Sequence, residues 1–103
     1  MPKYLFVYHG GSAPNPADVK KVMDAWGNWF GSMGSAVIDG GNPVGKSSTV
    51  KSDGSLAAGG GANPASGYSL IEASSLEDAH KKASGCPILK AGGSIEIAAC
   101  MDM

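Results

Sequence analysis

Apolar residues recur along the chain at two spacings, and the switches between them mark out its elements. Residues 3–9, KYLFVYH, are aromatic or aliphatic on both parities, the pattern of a strand covered on both faces. GGSAPNP then breaks the chain, with Asn15 suited to a helix N-cap and Pro16 to the first helical position. From Ala17 to Met33, residues Val19, Val22, Met23, Trp26, Phe30 and Met33 step by three and four, while Asp18, Lys20, Lys21 and Asp24 fall off the stripe. This predicts an amphipathic helix that ends at Gly34, with Gly27 and Gly31 allowing its backbone close to a sheet.

A second strand is expected over 35–39, SAVID, then a GGNPVG turn and an alternating segment over 47–52, SSTVKS. Residues 53–67 carry five glycines and a proline with little to bury, and read as a mobile loop. YSLIEA, 68–73, is a strand. SSLEDAHKKASG is a short helix with Ser74 and Glu77 in capping-box spacing, Gly85 at its C-terminal stop and Pro87 beyond it. SIEIAA, 94–99, is the last strand. Strand, helix, strand, arm, loop, strand, helix, strand describes one α+β domain over residues 1–103, a ferredoxin-like antiparallel sheet with two helices on one face. Strands 3–9, 68–73 and 94–99 have large or apolar side chains on both parities. A second copy of the chain is the simplest cover for the face the helices leave open.

Composition narrows the partners. Of 103 residues 43% are apolar, enough for one modest core. All eight cations are lysines, against nine acidic residues, so the bidentate groups that read phosphates and base edges are missing and nucleic acid is excluded as a partner. No apolar run approaches a membrane span and the start of the chain lacks a signal pattern, so a cytoplasmic protein without a membrane partner is expected. Cys86, Cys100, His9 and His80 have no metal-ligand spacing, and neither metal nor other cofactor is expected.

GGNPVGKS, residues 40–47, fits the phosphate-loop pattern through Gly40, Gly45, Lys46 and Ser47. A phosphate loop must open a helix, and the STVKSDGSL that follows is poor in helix formers. The stretch reads instead as an inter-strand turn with one glycine at positive φ, where Asp39 and Asn42 bond back to the backbone. His80 falls on the apolar side of the second helix as a packed or half-exposed structural residue. His9 ends the first strand beside two glycines, where a ligand can approach. Glu72 and Glu96 interrupt apolar strands. If Ile95 and Ile97 pack on the helices, Glu96 looks out of the opposite face. Cys86 sits after a helix end, a poor place for a thiolate, and Cys100 reads as a small apolar residue.

Taken together, GYSLIEASSLEDAHKKASGCPILKAGGSIEI and WGNWFGSMGSAVIDGGNP resemble the YCII-related family, including its DGPF-type branch. The resemblance implies a ferredoxin-like subunit that dimerises through its sheets into a dimeric α+β barrel, with DGGNP as an ordinary turn. It also implies a His in the first helix and an Asp-Pro pair as acid and base. Here the helix reads MDAWGNWF and the pair is Cys86-Pro87, so both groups are absent, and Ser55 after Asp53-Gly54 breaks the DGPF signature. The expectation is a homodimer without that catalytic dyad. It binds a neutral or cationic small organic ligand, or a protein, in a cleft between sheet and helices lined by Tyr8, His9, Trp26, Asp39, Tyr68, Glu72 and Glu96. The alternative is a monooxygenase-, isomerase- or lyase-like enzyme using Glu96, Asp39 or His9 as acid or base, and a third reading is a pure interaction module.

Overall fold

The structure, a computed structural model, describes residues 1–12 and 14–102. Strand β1 (Lys3–His9) leads through a 3₁₀ turn at Pro16–Asp18 into helix α1 (Val19–Met33) and a second 3₁₀ turn at Gly34–Ala36. Short strands β2 (Val37–Asp39), β3 (Ser48–Val50) and β4 (Leu56–Ala58) precede β5 (Ala65–Glu72), helix α2 (Leu76–Ala83), a 3₁₀ turn at Pro87–Leu89 and β6 (Ser94–Ala99). The main sheet has four antiparallel strands in the order β2-β5-β1-β6, and β3 and β4 form a separate two-stranded sheet.

Alternation along the strands decides the core. Tyr4, Phe6 and Tyr8 of β1 and Ser69 and Ile71 of β5 turn to one face and are buried there, with Phe6 and Ile71 fully enclosed. Both helices cover that face, α1 through Trp29 and α2 through Ala79 and Ala83, and Ile95 and Ile97 of β6 pack at its margin. Small residues on α2 let it lie close to the sheet, while α1 contributes the bulk. Trp29 stacks on Phe6 at 6.4 Å and meets Phe30 at 5.0 Å and Trp26 at 5.7 Å. Its indole Nε1 donates to the Lys82 carbonyl at 2.8 Å and so joins the two helices.

Several local expectations are corrected. Strand 35–39 is shorter, because residues 34–36 form the 3₁₀ turn. Gly27 and Gly31 are exposed with nothing near the position a Cβ would take, so they do not serve close packing. The capping residue of α2 is Ser75, whose hydroxyl accepts from the Asp78 N–H, and Asp78 answers by accepting from the Ser74 N–H; the reciprocal box is one residue later than the S-x-x-E reading placed it. Gly85 keeps a negative φ and leaves room for the Trp29 ring instead of reversing the helix end. His80 is exposed, since Ala79 and Ala83 take the buried side of α2.

The largest difference lies in residues 53–67. β4 pairs with β3 through Ser48↔Ala58 and Val50↔Leu56, and β5 already begins at Ala65. Between the sheet and this arm, Pro43 bridges Gly67 and the Gly59 N–H donates to the Ser47 carbonyl. The arm therefore continues the β2–β5 hairpin, with the Gly60–Pro64 stretch as extra residues on one side. Residues 44–56 are exposed throughout, including Val50 at 68% and Leu56 at 73%. This projection raises the radius of gyration to 14.9 Å, against about 13 Å for a compact chain of this length.

Candidate functional site

The seven residues singled out by sequence occupy three places. Tyr8 and Trp26 lie on the helix side of the sheet, ring to ring at 5.2 Å and edge to face. Asp39 sits at the sheet edge. His9, Tyr68, Glu72 and Glu96 lie on the opposite face, which no helix among the described residues covers, together with Leu5, Val7 and Leu70. The space between sheet and α1 is taken up by the Phe6, Tyr8, Trp26, Trp29 and Phe30 rings, so the seven do not line a common cleft there.

Antiparallel register builds the open face. Val7 has Tyr68 on one side and Glu96 on the other; Leu5 lies between Leu70 and Ala98; Lys3 lies opposite Glu72. The centre is aliphatic and both ends are polar. A register shift between Tyr8 and His9 sets His9 opposite Ala65 and brings the extra Gly60–Pro64 segment over the end of β1. There the His9 ring bridges two elements, with Nδ1 2.9 Å from the Asn63 carbonyl oxygen and Nε2 3.0 Å from Glu96 Oε1. The His9 side chain is only 12% exposed and the Glu96 side chain 66%. The Glu96 carboxylate, ahead of the backbone carbonyls of Pro64 and Asn63, raises the His9 pKa above its usual value of 6.5 against the opposing effect of desolvation. Both ring nitrogens face acceptors, an arrangement that the imidazolium satisfies completely and a neutral ring does not.

On the helix side the polar groups are closed off. Tyr8 Oη donates to Ser69 Oγ at 2.8 Å, and Ser69 Oγ donates to the Gly40 carbonyl at 2.7 Å. Burial holds the Tyr8 phenol well above its ordinary pKa, the Ser69 bond offsetting part of the effect and the neighbouring Cys86 adding to it. Burial likewise pushes the Cys86 thiol up to about 11, so it is a packed apolar group and not a nucleophile. Cys100, read as a small apolar residue, is exposed at the end of β6.

The GGNPVGKS stretch opens no helix. Strand β3 follows Lys46 and Ser47, both exposed, and Asp39 Oδ1 accepts from the Gly41 N–H at 2.8 Å to close an Asx turn. Gly41 has φ +70° and lies against the Tyr68 carbonyl, so the glycine is required by the turn. Asn42 reaches the Tyr68 hydroxyl through Nδ2 at 3.4 Å instead of bonding back within the turn. Among the described residues no three of His, Cys, Asp and Glu come together, and no helix is long and apolar enough to cross a membrane. An open depression of about 520 Å³ lies between the C-terminal end of α1 and α2, with Trp29, Met33, Lys81 and Lys82 among its walls and Glu72, the last residue of β5, at its border.

Sequence reasoning missed Asn63, Ser69 and Trp29 as organisers of these sites. Trp29 carried a signal, since it lies three residues after Trp26 and one before Phe30 beside the helical stripe. Asn63 acts through its backbone carbonyl, which has no sequence signature. Compared with known proteins, the chain matches no family model and no curated protein.

Proposed function

We propose that the chain forms a homodimer of ferredoxin-like, YCII-related subunits through their open sheet faces, and that it binds a small neutral or cationic organic ligand without catalysing a reaction on it. The strand order β2-β5-β1-β6, in which each helix connects two strands separated by a third, supports the fold reading. An aliphatic strip of Leu5, Val7 and Leu70 with no helix over it supports the dimer. The observation that carries the binding reading is the polar end of that strip. His9 is held in place from both sides, while Glu96 and Tyr68 flank Val7 and present a carboxylate and an aromatic ring at the rim of the interface. These groups suit an ammonium or a neutral donor better than an anion.

The geometry speaks against acid–base catalysis as the main role. A general base needs a nitrogen or oxygen free to meet substrate, and His9 has both nitrogens engaged while Asp39 closes a turn. Glu96 and Asp39 are both exposed and each keeps one carboxylate oxygen free, and the enzyme reading would rest on them. Native mass spectrometry of the untagged protein purified from its host tests the proposal. The expected species is a dimer carrying an extra small mass that is lost on gentle activation. A monomer would overturn the sheet-to-sheet reading, and an empty dimer would favour a pure interaction module.

A further inference from the structure

We propose that His9 is a proton-operated clasp that holds the Gly60–Pro64 segment, and with it the root of the β3–β4 arm, against the end of the sheet. The inference is independent of the dimer and of any ligand, because it follows from contacts within one chain. His9 stands at the junction of three elements. Its own strand is β1; Nε2 meets Glu96 of β6, and Nδ1 meets the carbonyl of Asn63, in the extra stretch between the arm and β5. Asn63 is 54 residues from His9 in sequence, so the bond ties a distant segment down. Five residues of this segment, GGANP, separate Gly59, which bonds Ser47 at the base of the arm, from Ala65, which pairs with His9.

Proton count decides the state of the clasp. The imidazolium donates from both nitrogens, to a carboxylate and to a carbonyl. Loss of one proton to water leaves a single N–H for two acceptors and changes the net charge of the His9–Glu96 pair from zero to minus one. The remaining proton stays toward the carboxylate, the stronger acceptor, and the Asn63 carbonyl then faces a ring lone pair. Its bond is lost and the segment loosens. The titratable groups facing His9 are few. Glu96 comes from β6, and β5 offers Ala65 opposite with the Tyr68 phenol one pair further along the face. The Gly60–Pro64 segment carries no ionisable side chain. Glu96 raises the His9 pKa, so the clasp stays closed below 6.5 and opens as pH rises through the elevated value.

The test is a pH titration by heteronuclear NMR of the full chain carrying His80→Gln, which leaves His9 as the one imidazole signal. The amide signals of Gly60, Gly61, Ala62, Asn63 and Ala65 are expected to move with the same midpoint as the His9 ring, and the hydrogen-exchange protection of the Gly59 amide, which donates to the Ser47 carbonyl at the root of the arm, to fall above it. In Glu96→Gln both midpoints are expected to shift downward together. A His9→Gln variant, folded by its dispersed spectrum, is expected to lose the titration of these amides. Amides that stay still while His9 titrates, or that keep their midpoint when Glu96→Gln moves that of the ring, would overturn the clasp.

Discussion

At the scale of single residues, the aromatic core is concentrated on Trp29, which touches both helices' surroundings and the sheet at once. Trp29→Ala removes the ring from against Phe6, Tyr8, Trp26 and Phe30 and takes the indole donor from the Lys82 carbonyl, which keeps the longer bond from the Gly85 N–H at 3.4 Å. Equilibrium unfolding in denaturant is expected to show a loss of about 3–5 kcal/mol. The two thiols differ in kind. Cys86 is buried with its pKa pushed up to about 11, and Cys100 is exposed. A thiol reagent at neutral pH is expected to modify Cys100 alone in the native protein and both cysteines after denaturation; rapid native labelling of Cys86 would refute the packing described for it.

At the scale of elements, α2 is held by its first turn more than by its composition. Ser75 caps it, and Asp78 accepts from the Ser74 N–H while pairing with Lys82 at 2.8 Å. Ser75→Ala is expected to cost about 1 kcal/mol in denaturant unfolding. Foremost the Lys82 bond, then the Ser74 N–H, holds the Asp78 carboxyl down at about 2, below its usual 3.8. Because the folded value is the lower one, the contribution is complete above pH 4 and fades as pH falls toward 2. In an acid titration of stability, Asp78→Asn should flatten the loss over that window. Helix α1 offers the opposite opportunity. Gly27 and Gly31 are exposed with open space around them, so Gly27→Ala and Gly31→Ala are each expected to stabilise by roughly 0.5–1 kcal/mol. Gly41→Ala, at positive φ against the Tyr68 carbonyl, is expected to be strongly destabilising in the same assay.

At the scale of the whole molecule, the sheet is covered on one face and bare on the other, and the arm buries almost none of its own side chains. A two-stranded hairpin with three residues per strand has little stability of its own. Under the dimer proposal, Leu5→Glu places two like charges across the aliphatic strip without touching the helix-side core. Analytical ultracentrifugation is expected to show a monomer for this variant and a dimer for the parent chain; a parent that stays monomeric at high concentration would remove the basis for the interface.

By itself the sequence determined the main elements, since two periodicities alone place β1, α1, β5, α2 and β6 close to their observed positions. Alternation within β6 also put Glu96 on the face opposite Ile95 and Ile97, because a strand has a period of two, and the packing of the helices made the isoleucines the inward pair. It could not show that residues 53–67 hold β4 and the start of β5. Short, exposed ribbon strands bury too little to leave a hydrophobic pattern, and their pairing depends on the partner strand. Nor could it assemble the site. Tyr8 and His9 are adjacent in sequence yet face opposite sides of the sheet, and a register shift beside His9 brings a backbone carbonyl 54 residues away onto its ring. Side-chain types were legible because they are local. Which of them meet was decided by strand register and by one extra stretch of chain, quantities that exist only once the sheet has formed.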